Sequence, residues 1–310
     1  MNISASMVKE LREKSGAGMM DCKKALSEAN GDMDQAMQIL KEKGAAKAAK
    51  KIGRVASEGS ILSLIDNGGN SSKGILLELN CETDFAAKSE GFKSYASLMS
   101  EYFMENAKEE GSVVSMEESF YNKEIENYTT EAITKIGENI KPRRFIKFEC
   151  DENSYLHSYI HMGGKIGVMV EIKASSVDVK KDKDVQEMAD GIAMQIASMY
   201  PECVDESSFP EEKIEAEKKT FMAQVLEMGK PENVAEKIVE GKLKKFIAEN
   251  TLLEQNFVMK GDIKVKDFIK ETAKKIGVDL AVTRFARFEL GEGIEKESSN
   301  FADEVAAQLK

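Results

Sequence analysis

Apolar positions at the start of the chain recur at helical spacing in three short segments. Val8 and Leu11 begin the first stripe, which Gly16 and Gly18 interrupt. The apolar positions of the second and third stripes are Cys22, Ala25, Leu26, Ala29, Met33, Ala36, Met37 and Leu40. Gly31 ends the second segment, and Asp32 is placed to cap the third. The pattern predicts a small module of three helices.

The pattern then changes to short, largely apolar runs of strand type. Residues 60–66 and 73–79 are separated by Gly68 and Gly69, which indicates a hairpin. Residues 155–161 and 165–172 repeat this arrangement around Gly163 and Gly164. The chain therefore contains two copies of one unit.

A second echo supports the duplication. Residues 143–149 and 283–289 share the order Arg, Phe, Phe, Glu at matching positions. Each copy then supplies a hairpin, helical material and a closing strand. That order predicts antiparallel three-stranded sheets covered on one face by helices, an α+β fold.

Two further segments show helical periodicity. Pro210, followed by two acidic residues, is typical of a helix start. The apolar positions of the resulting helical hairpin are Ile214, Phe221, Val225 and Leu226 before the turn and Val234, Ile238, Leu243 and Ile247 after it. Residues 298–310 predict a last amphipathic helix, which either packs on this chain or docks on a partner.

These patterns divide the chain into five predicted parts. Residues 1–54 form an N-terminal helical module that resembles a ubiquitin-associated fold, and 55–140 form the first core subdomain. The second core subdomain combines 141–180 with 255–290. The inserted helical segment is 181–254, and the C-terminal module is 291–310.

Charge and hydropathy narrow the class of protein. The 310 residues carry a net charge of -11, which argues against a nucleic-acid binder that acts by neutralising phosphates. The basic stretch 41–54 is interpreted as a solvated helix and linker, with a negatively charged partner surface as the alternative. No apolar run approaches the roughly 20 residues of a membrane span. Residues 1–9 lack signal-peptide features, so we expect a cytoplasmic protein.

Metal and disulfide chemistry is not expected. The four cysteines are widely spaced without a C-x-x-C pair, which favours reduced thiols. His157 and His161 are the only histidines, and the alternation around them indicates a strand rather than a helical metal site. The sequence also lacks a P-loop and any plausible nucleophile with its base, so we expect neither a cofactor nor an enzyme.

Thr83, Asp84 and Phe85 stand where a strand gives way to a helical pattern. Because connections run over the surface, a Phe there cannot easily enter the core. One interpretation is a plug for another protein; the alternative is a capping Thr or Asp beside a core Phe. An enzyme with Asp84 as general base and His161 as a second catalytic group is a further alternative, although an adjacent Phe does not assist proton transfer.

The chain resembles the elongation factor Ts family over nearly its whole length. The matching blocks, which occur in the family's order, are residues 8–32, 80–85, 135–140, 161–168, 235–241 and 287–295. The resemblance implies an exchange factor that binds elongation factor Tu in its GDP-bound and nucleotide-free states. It also implies that 211–250 form a coiled-coil hairpin, with self-association or a partner contact as its role.

The resemblance carries functional residues onto this chain. The residues implied in partner binding and displacement of the partner's Mg²⁺ are Thr83, Asp84, Phe85, Ala86 and Ala87. Further implied contacts are Lys23, Ile136, Gly137, His161, Val258 and Met259. The alternative interpretation is that Val258 and Met259 are ordinary core residues and that His161 is a hydrogen-bonded residue of an edge strand. Ala86 and Ser89 depart from the usual family pattern, which predicts looser packing behind Phe85 and a different helix cap.

Overall fold

The computed structural model describes residues 3–69, 71–117, 119–229 and 231–295. Its helices are α1 (Ala5–Ser15), α2 (Met19–Glu28), α3 (Met33–Ala49), α4 (Asp84–Ala87), α5 (Glu90–Asn106), α6 (Lys123–Ile136), α7 (Lys183–Met199), α8 (Glu211–Glu227), α9 (Glu232–Glu249) and α10 (Val265–Ile276). Its strands are β1 (Glu58–Asp66), β2 (Ser72–Cys81), β3 (Val114–Ser115), β4 (Ile140–Cys150), β5 (Ser154–His161), β6 (Ile166–Ala174) and β7 (Leu280–Glu289). The predicted α+β class is confirmed.

The N-terminal helices form as their apolar spacing predicts. Gly16 ends α1 with a φ of 66°, and the Asp32 side chain accepts a hydrogen bond from the Gln35 N–H to cap α3. The helices enclose a small core of their own around Leu11 and Leu26. The module joins the rest of the chain where α3 packs on α6, with Gly44 facing Thr134.

Two antiparallel sheets face each other at the centre of the molecule. Their strand orders are β1-β2-β4-β3 and β5-β6-β7. Apolar side chains from both sheets, including Leu76 and Met169, form the layer between them. Helices α5 and α6 cover the outer face of the first sheet, and α7 and α10 cover that of the second. The two hairpins and the closing strands β4 and β7 are confirmed.

The expectation of two three-stranded sheets is wrong for the first sheet. The two-residue strand β3 pairs with β4 and extends that sheet to four strands. A strand of two residues is too short to show alternation, so no sequence pattern marks it. The sheets are also covered on both faces, because the inner face of each packs on the other sheet.

The predicted insert 181–254 contains two different kinds of structure. Helix α7 packs with Val185, Ile192 and Ile196 into the core of the second sheet, as α5 does in the first. Helices α8 and α9 instead pack on each other around Val225, Ala235 and Val239.

Two residues of the predicted hairpin stripe do not face inward. Leu226 and Val234 are exposed, whereas their neighbours Val225 and Ala235 are buried. Successive residues on a helix are about 100° apart, so only one of each pair can face the opposite helix. Self-association through this hairpin stays a prediction. The predicted C-terminal helix at 298–310 lies outside the described residues.

Candidate functional site

The Thr83–Ala87 segment forms a single helical turn directly after β2. Thr83 is extended, with φ of -129° and ψ of 155°, and its hydroxyl oxygen accepts a hydrogen bond from the Ala86 N–H at 3.2 Å. A threonine in this position satisfies one of the donors that a helix start leaves free. The chain therefore turns sharply out of the sheet at Thr83.

Glu138, which follows α6, holds this turn from the side. Its two carboxylate oxygens accept the Thr83 N–H at 2.9 Å and the Thr83 hydroxyl at 2.7 Å. Because an ionised carboxylate only accepts, the Thr83 hydroxyl donates to Glu138 and keeps its lone pairs for Ala86. One side chain thus fixes both the backbone and the capping group of the turn.

A second carboxylate contact joins Glu82 and Asn139, the residues next to Thr83 and Glu138. Glu82 accepts the Asn139 N–H at 2.6 Å and lies 3.3 Å from the Arg54 guanidinium. The Asn139 amide in turn donates to the carbonyls of Ile52 at 3.1 Å and Arg54 at 2.7 Å. We call Glu82, Thr83, Glu138 and Asn139 the turn clamp; through Asn139 it also holds the linker from the N-terminal module.

The clamped turn presents Phe85 to solvent. The Phe85 side chain is 81% exposed, the highest value among the large apolar side chains exposed in the described residues. Its neighbour Ala86 is buried, and Ala87 packs against the core of the first sheet. The alanines anchor the turn inward, and Phe85 therefore projects outward. The expectation of an exposed Phe85 is confirmed.

Asp84 lies beside Phe85 with its carboxylate paired. The Lys88 ammonium donates to it at 2.6 Å, and this hydrogen bond holds the pKa of the Asp84 carboxyl below its ordinary value. Lys165, in the turn between β5 and β6, also favours the ionised form. Lys165 also donates to Glu58 at 2.6 Å, and Glu58 is the register partner of Cys81, so the turn that follows His161 lies near the Asp84 turn. The lowered pKa keeps the Asp84 carboxylate ionised at neutral pH.

Ser89 caps α5 directly behind the turn. Its hydroxyl accepts the Phe92 N–H at 3.2 Å. A serine is a good capping residue in its own right, so the helix starts normally without an acidic or amide residue at this position.

Ile136 and Gly137 lead into the turn clamp. Gly137 ends α6 with a φ of 87°, and its carbonyl accepts a hydrogen bond from the Lys51 ammonium. The positive φ favours glycine, since other residues are strained there. Ile136 is half-buried against the core of the first sheet. The structure thus brings these two predicted residues next to Glu138.

The other predicted contacts lie outside the turn clamp and the helical turn that it holds. His161 ends β5, and its Nδ1 lies 2.8 Å from the Tyr159 hydroxyl. Val258 and Met259 are both exposed, after Phe257, which is buried and stacked on Phe268. Lys23 is exposed on α2 in the N-terminal module. The alternative that Val258 and Met259 are core residues is wrong.

Similarity to known proteins decides the family. The model of the family described as Elongation factor TS matches residues 82–292. The chain belongs to the elongation factor Ts family. The elongation factor Ts of a Nitratiruptor species is 48% identical over 314 residues, covering 100% of both chains. Those of Bdellovibrio bacteriovorus and Clostridium perfringens (strain 13 / Type A) are each 43% identical over at least 98% of this chain. Membership assigns the chain a role in translation elongation.

Sequence reasoning missed the side chains that hold the site. Glu138 and Asn139 lie within the 135–140 block of the family resemblance, but only the preceding Ile136 and Gly137 were singled out. Met162, next to His161, was also missed and is 71% exposed. An exposed methionine in a hairpin turn carries no periodic signal, so only its position in the 161–168 block could have marked it.

The described residues show no metal cluster, and the Cys81 thiol is protonated. No group of three or more His, Cys, Asp or Glu side chains in those ranges is placed to hold a metal ion. Burial raises the pKa of the Cys81 thiol to about 12, which keeps it protonated. Nor does any helix in the same ranges have the length and apolar character of a bilayer span. The site is an exposed phenylalanine, Phe85, on a hydrogen-bonded turn, an arrangement suited to contact with another macromolecule.

Proposed function

We propose that this protein is a guanine-nucleotide exchange factor that binds GDP-bound elongation factor Tu and promotes release of GDP. The observation that carries the proposal is the 81% exposed Phe85 on a hydrogen-bonded turn in a member of the elongation factor Ts family. A large exposed apolar side chain with a fixed backbone is suited to insertion into a partner. The protein would act in the cytoplasm, where elongation takes place.

The proposed mechanism distorts the nucleotide site of the partner. A GTPase holds its nucleotide through contacts to the phosphates and a bridging Mg²⁺. Phe85 inserts between helices of the partner, and the ionised Asp84 alters the polar network near that site. Thr83, Ala86 and Ala87 form the backbone turn that carries both side chains. The protein makes and breaks no covalent bond, needs no cofactor, and acts by binding the nucleotide-free state more tightly.

Phe85 alone does not supply the whole effect. Burying one Phe side chain contributes about 1.5–3 kcal/mol. That energy corresponds to roughly a tenfold to hundredfold change in an equilibrium. The rest comes from a broader interface, for which Lys23, Ile136, Gly137, His161, Val258 and Met259 are the proposed further contacts.

Linkage makes the complex transient. The factor by which this protein weakens nucleotide binding equals the factor by which nucleotide weakens binding of this protein. Abundant nucleotide therefore releases the exchange factor, as recycling requires.

The test is release of a fluorescent GDP analogue from purified elongation factor Tu. Phe85→Ala is expected to slow release by about tenfold or more relative to the unsubstituted protein, because the buried Phe contribution is lost. The matched control is Val113→Ala, which truncates another exposed apolar side chain. Val113 precedes β3 at one edge of the first sheet, whereas the turn that carries Phe85 packs on β1 and β2 at the other.

Each outcome separates two ideas. Fast release that survives Phe85→Ala would keep the exchange function and move its mechanism to the wider interface. A folded, unsubstituted protein that binds elongation factor Tu but does not accelerate release would be a binding module only, and the proposal would fail.

A further inference from the structure

The two sheets are joined by a reciprocal pair of arginine–phenylalanine contacts. The Arg144 guanidinium on β4 lies 4.4 Å from the centre of the Phe288 ring on β7. The Arg284 guanidinium on β7 lies 4.2 Å from the centre of the Phe148 ring on β4. Each arginine thus covers an aromatic ring of the opposite sheet, a favourable contact for a planar cation.

Each arginine is also fixed within its own sheet. The Nε of Arg144 donates to Glu78 on β2 at 2.6 Å, and the Nε of Arg284 donates to Glu171 on β6 at 2.6 Å. In both sheets the glutamate is the direct register partner of the arginine, and a β-bulge follows it. Bulges re-aim side chains, and here the same irregularity occurs at equivalent places in both copies.

The same guanidinium groups donate across the sheet interface. Arg144 Nη2 donates to the Glu289 carbonyl at 3.0 Å, and Arg284 Nη2 donates to the Glu149 carbonyl at 2.9 Å. These acceptors are equivalent positions in the repeated segments 143–149 and 283–289. We call Glu78, Arg144, Phe148, Glu171, Arg284 and Phe288 the sheet clasp.

Because most of the sheet clasp is buried, its polar groups depend on their hydrogen-bond partners within the protein. The side chain of Glu78 is fully buried, and those of Phe148 and Phe288 are also buried. A carboxylate in such a place needs several donors. Glu78 receives them from Arg143, Arg144 and the Gly291 N–H at 2.8 Å. A shift of one sheet relative to the other would break the Gly291 bond, together with the bonds from Arg144 and Arg284 to carbonyls of the opposite sheet.

The two halves of the core that the sheet clasp joins each carry a set of proposed partner contacts. In the first half, β2 runs from Glu78 to the clamped turn that carries Asp84 and Phe85. In the second half, β5 ends at His161, and α10 follows the loop with Val258 and Met259. A partner that engages both sets requires a defined orientation of the two halves.

We propose that Arg144 and Arg284 are positioning residues for nucleotide exchange. They hold the two halves of the core in the one orientation in which Phe85 and the contacts of the second half engage elongation factor Tu together. This role rests on the proposed exchange function. It adds two residues that are not among the proposed partner contacts.

The substitutions that test this are Arg144→Lys and Arg284→Lys, alone and together. Lysine keeps the charge and most of the stem but loses the planar group that stacks and donates in two directions. The matched control is Arg287→Lys. Arg287 is a buried arginine on β7 that covers the Tyr200 ring at 4.1 Å, a contact within one half.

The first readout is the distance between the halves. Spin labels at Glu90 and Met162, both exposed, report on the first and second half when Cys150→Ser is present in every variant. We expect a broader distance distribution when both arginines are replaced and no change with Arg287→Lys. A distribution that stays narrow in the double variant would overturn the positioning role.

The second readout is GDP release, measured well below the unfolding temperature of every variant. We expect the double lysine variant to lower the limiting rate by about fivefold, and by less than about twofold when Phe85 is already alanine, since coupled sites are not additive. An equal fold loss of the GDP-release rate with Phe85 and with Phe85→Ala would show that the arginines do not act by positioning Phe85. If the unsubstituted protein does not accelerate release, the exchange function itself fails; narrow distances with exchange intact sink the positioning role alone.

Discussion

Removing the carboxylate of Glu138 is expected to loosen the turn that carries Phe85 and leave the sheet beneath it intact. Glu138 accepts two hydrogen bonds from Thr83, at 2.9 and 2.7 Å. No other member of the turn clamp contacts Thr83 in this way, since Glu82 bonds to Asn139. The variant Glu138→Ala therefore removes the side support of one helical turn.

The magnitude follows from these two bonds. Hydrogen bonds to charged groups contribute about 1.5–3 kcal/mol each. Glu138 is only half-buried, so water replaces part of what is lost. From the lower end of that range and partial rehydration, we expect a local loss of about 2 kcal/mol. At 1.4 kcal/mol per tenfold, local opening becomes roughly 30-fold more frequent.

Amide hydrogen exchange measures this directly. The Ala86, Ala87 and Lys88 amides, which donate to Thr83 or Asp84, should exchange faster in Glu138→Ala by that factor. The amide of Leu77, in the central strand β2, should not change. Glu131→Ala, at an exposed glutamate on α6, is the control. Unchanged exchange in the turn would refute the clamp, and equal acceleration at Leu77 would show general destabilisation instead.

Two further predictions concern ionisable groups. Lys88→Gln should raise the pKa of the Asp84 carboxyl towards its ordinary value, which NMR titration measures; an unchanged pKa would contradict the assigned cause. The small stabilisation from this ion pair is present above the unfolded pKa and is lost as pH falls through the lowered folded pKa. Burial raises the pKa of the Cys81 thiol to about 12, so this thiol should react slowly with a disulfide reagent at mildly alkaline pH and quickly in denaturant. Rapid reaction of Cys81 in the folded protein would contradict its burial.

Local periodicity was sufficient to predict most of the fold. The apolar spacing of α1 to α3 and the Gly-containing turns of the two hairpins are encoded within a few neighbouring residues. The repeated segments 143–149 and 283–289 added the equivalence of β4 and β7. The sequence did not predict features without a local signal, such as the two-residue strand β3 and the packing of α7 on the second sheet.

The candidate site was predictable in part for the same reason. Phe85 was expected at the surface because it stands on a connection between a strand and a helix. The turn clamp was not expected, because Thr83 and Glu138 are 55 positions apart and no pattern along the chain links them. The sheet clasp joins residues still farther apart, so the sequence showed its repeated segments but not the contacts they make.

The turn clamp and the sheet clasp address the same physical difficulty at different scales. An exposed Phe contributes about 1.5–3 kcal/mol when a partner buries it, and ordering a loop to present it would consume much of that. The turn clamp fixes the backbone around Phe85 before binding, so this ordering cost is met during folding. In the proposed positioning role, the sheet clasp does the same for the two halves of the core. Under the proposed exchange function, a side chain of modest binding energy can then act on a tightly held nucleotide, because little of that energy is lost in ordering the protein that carries it.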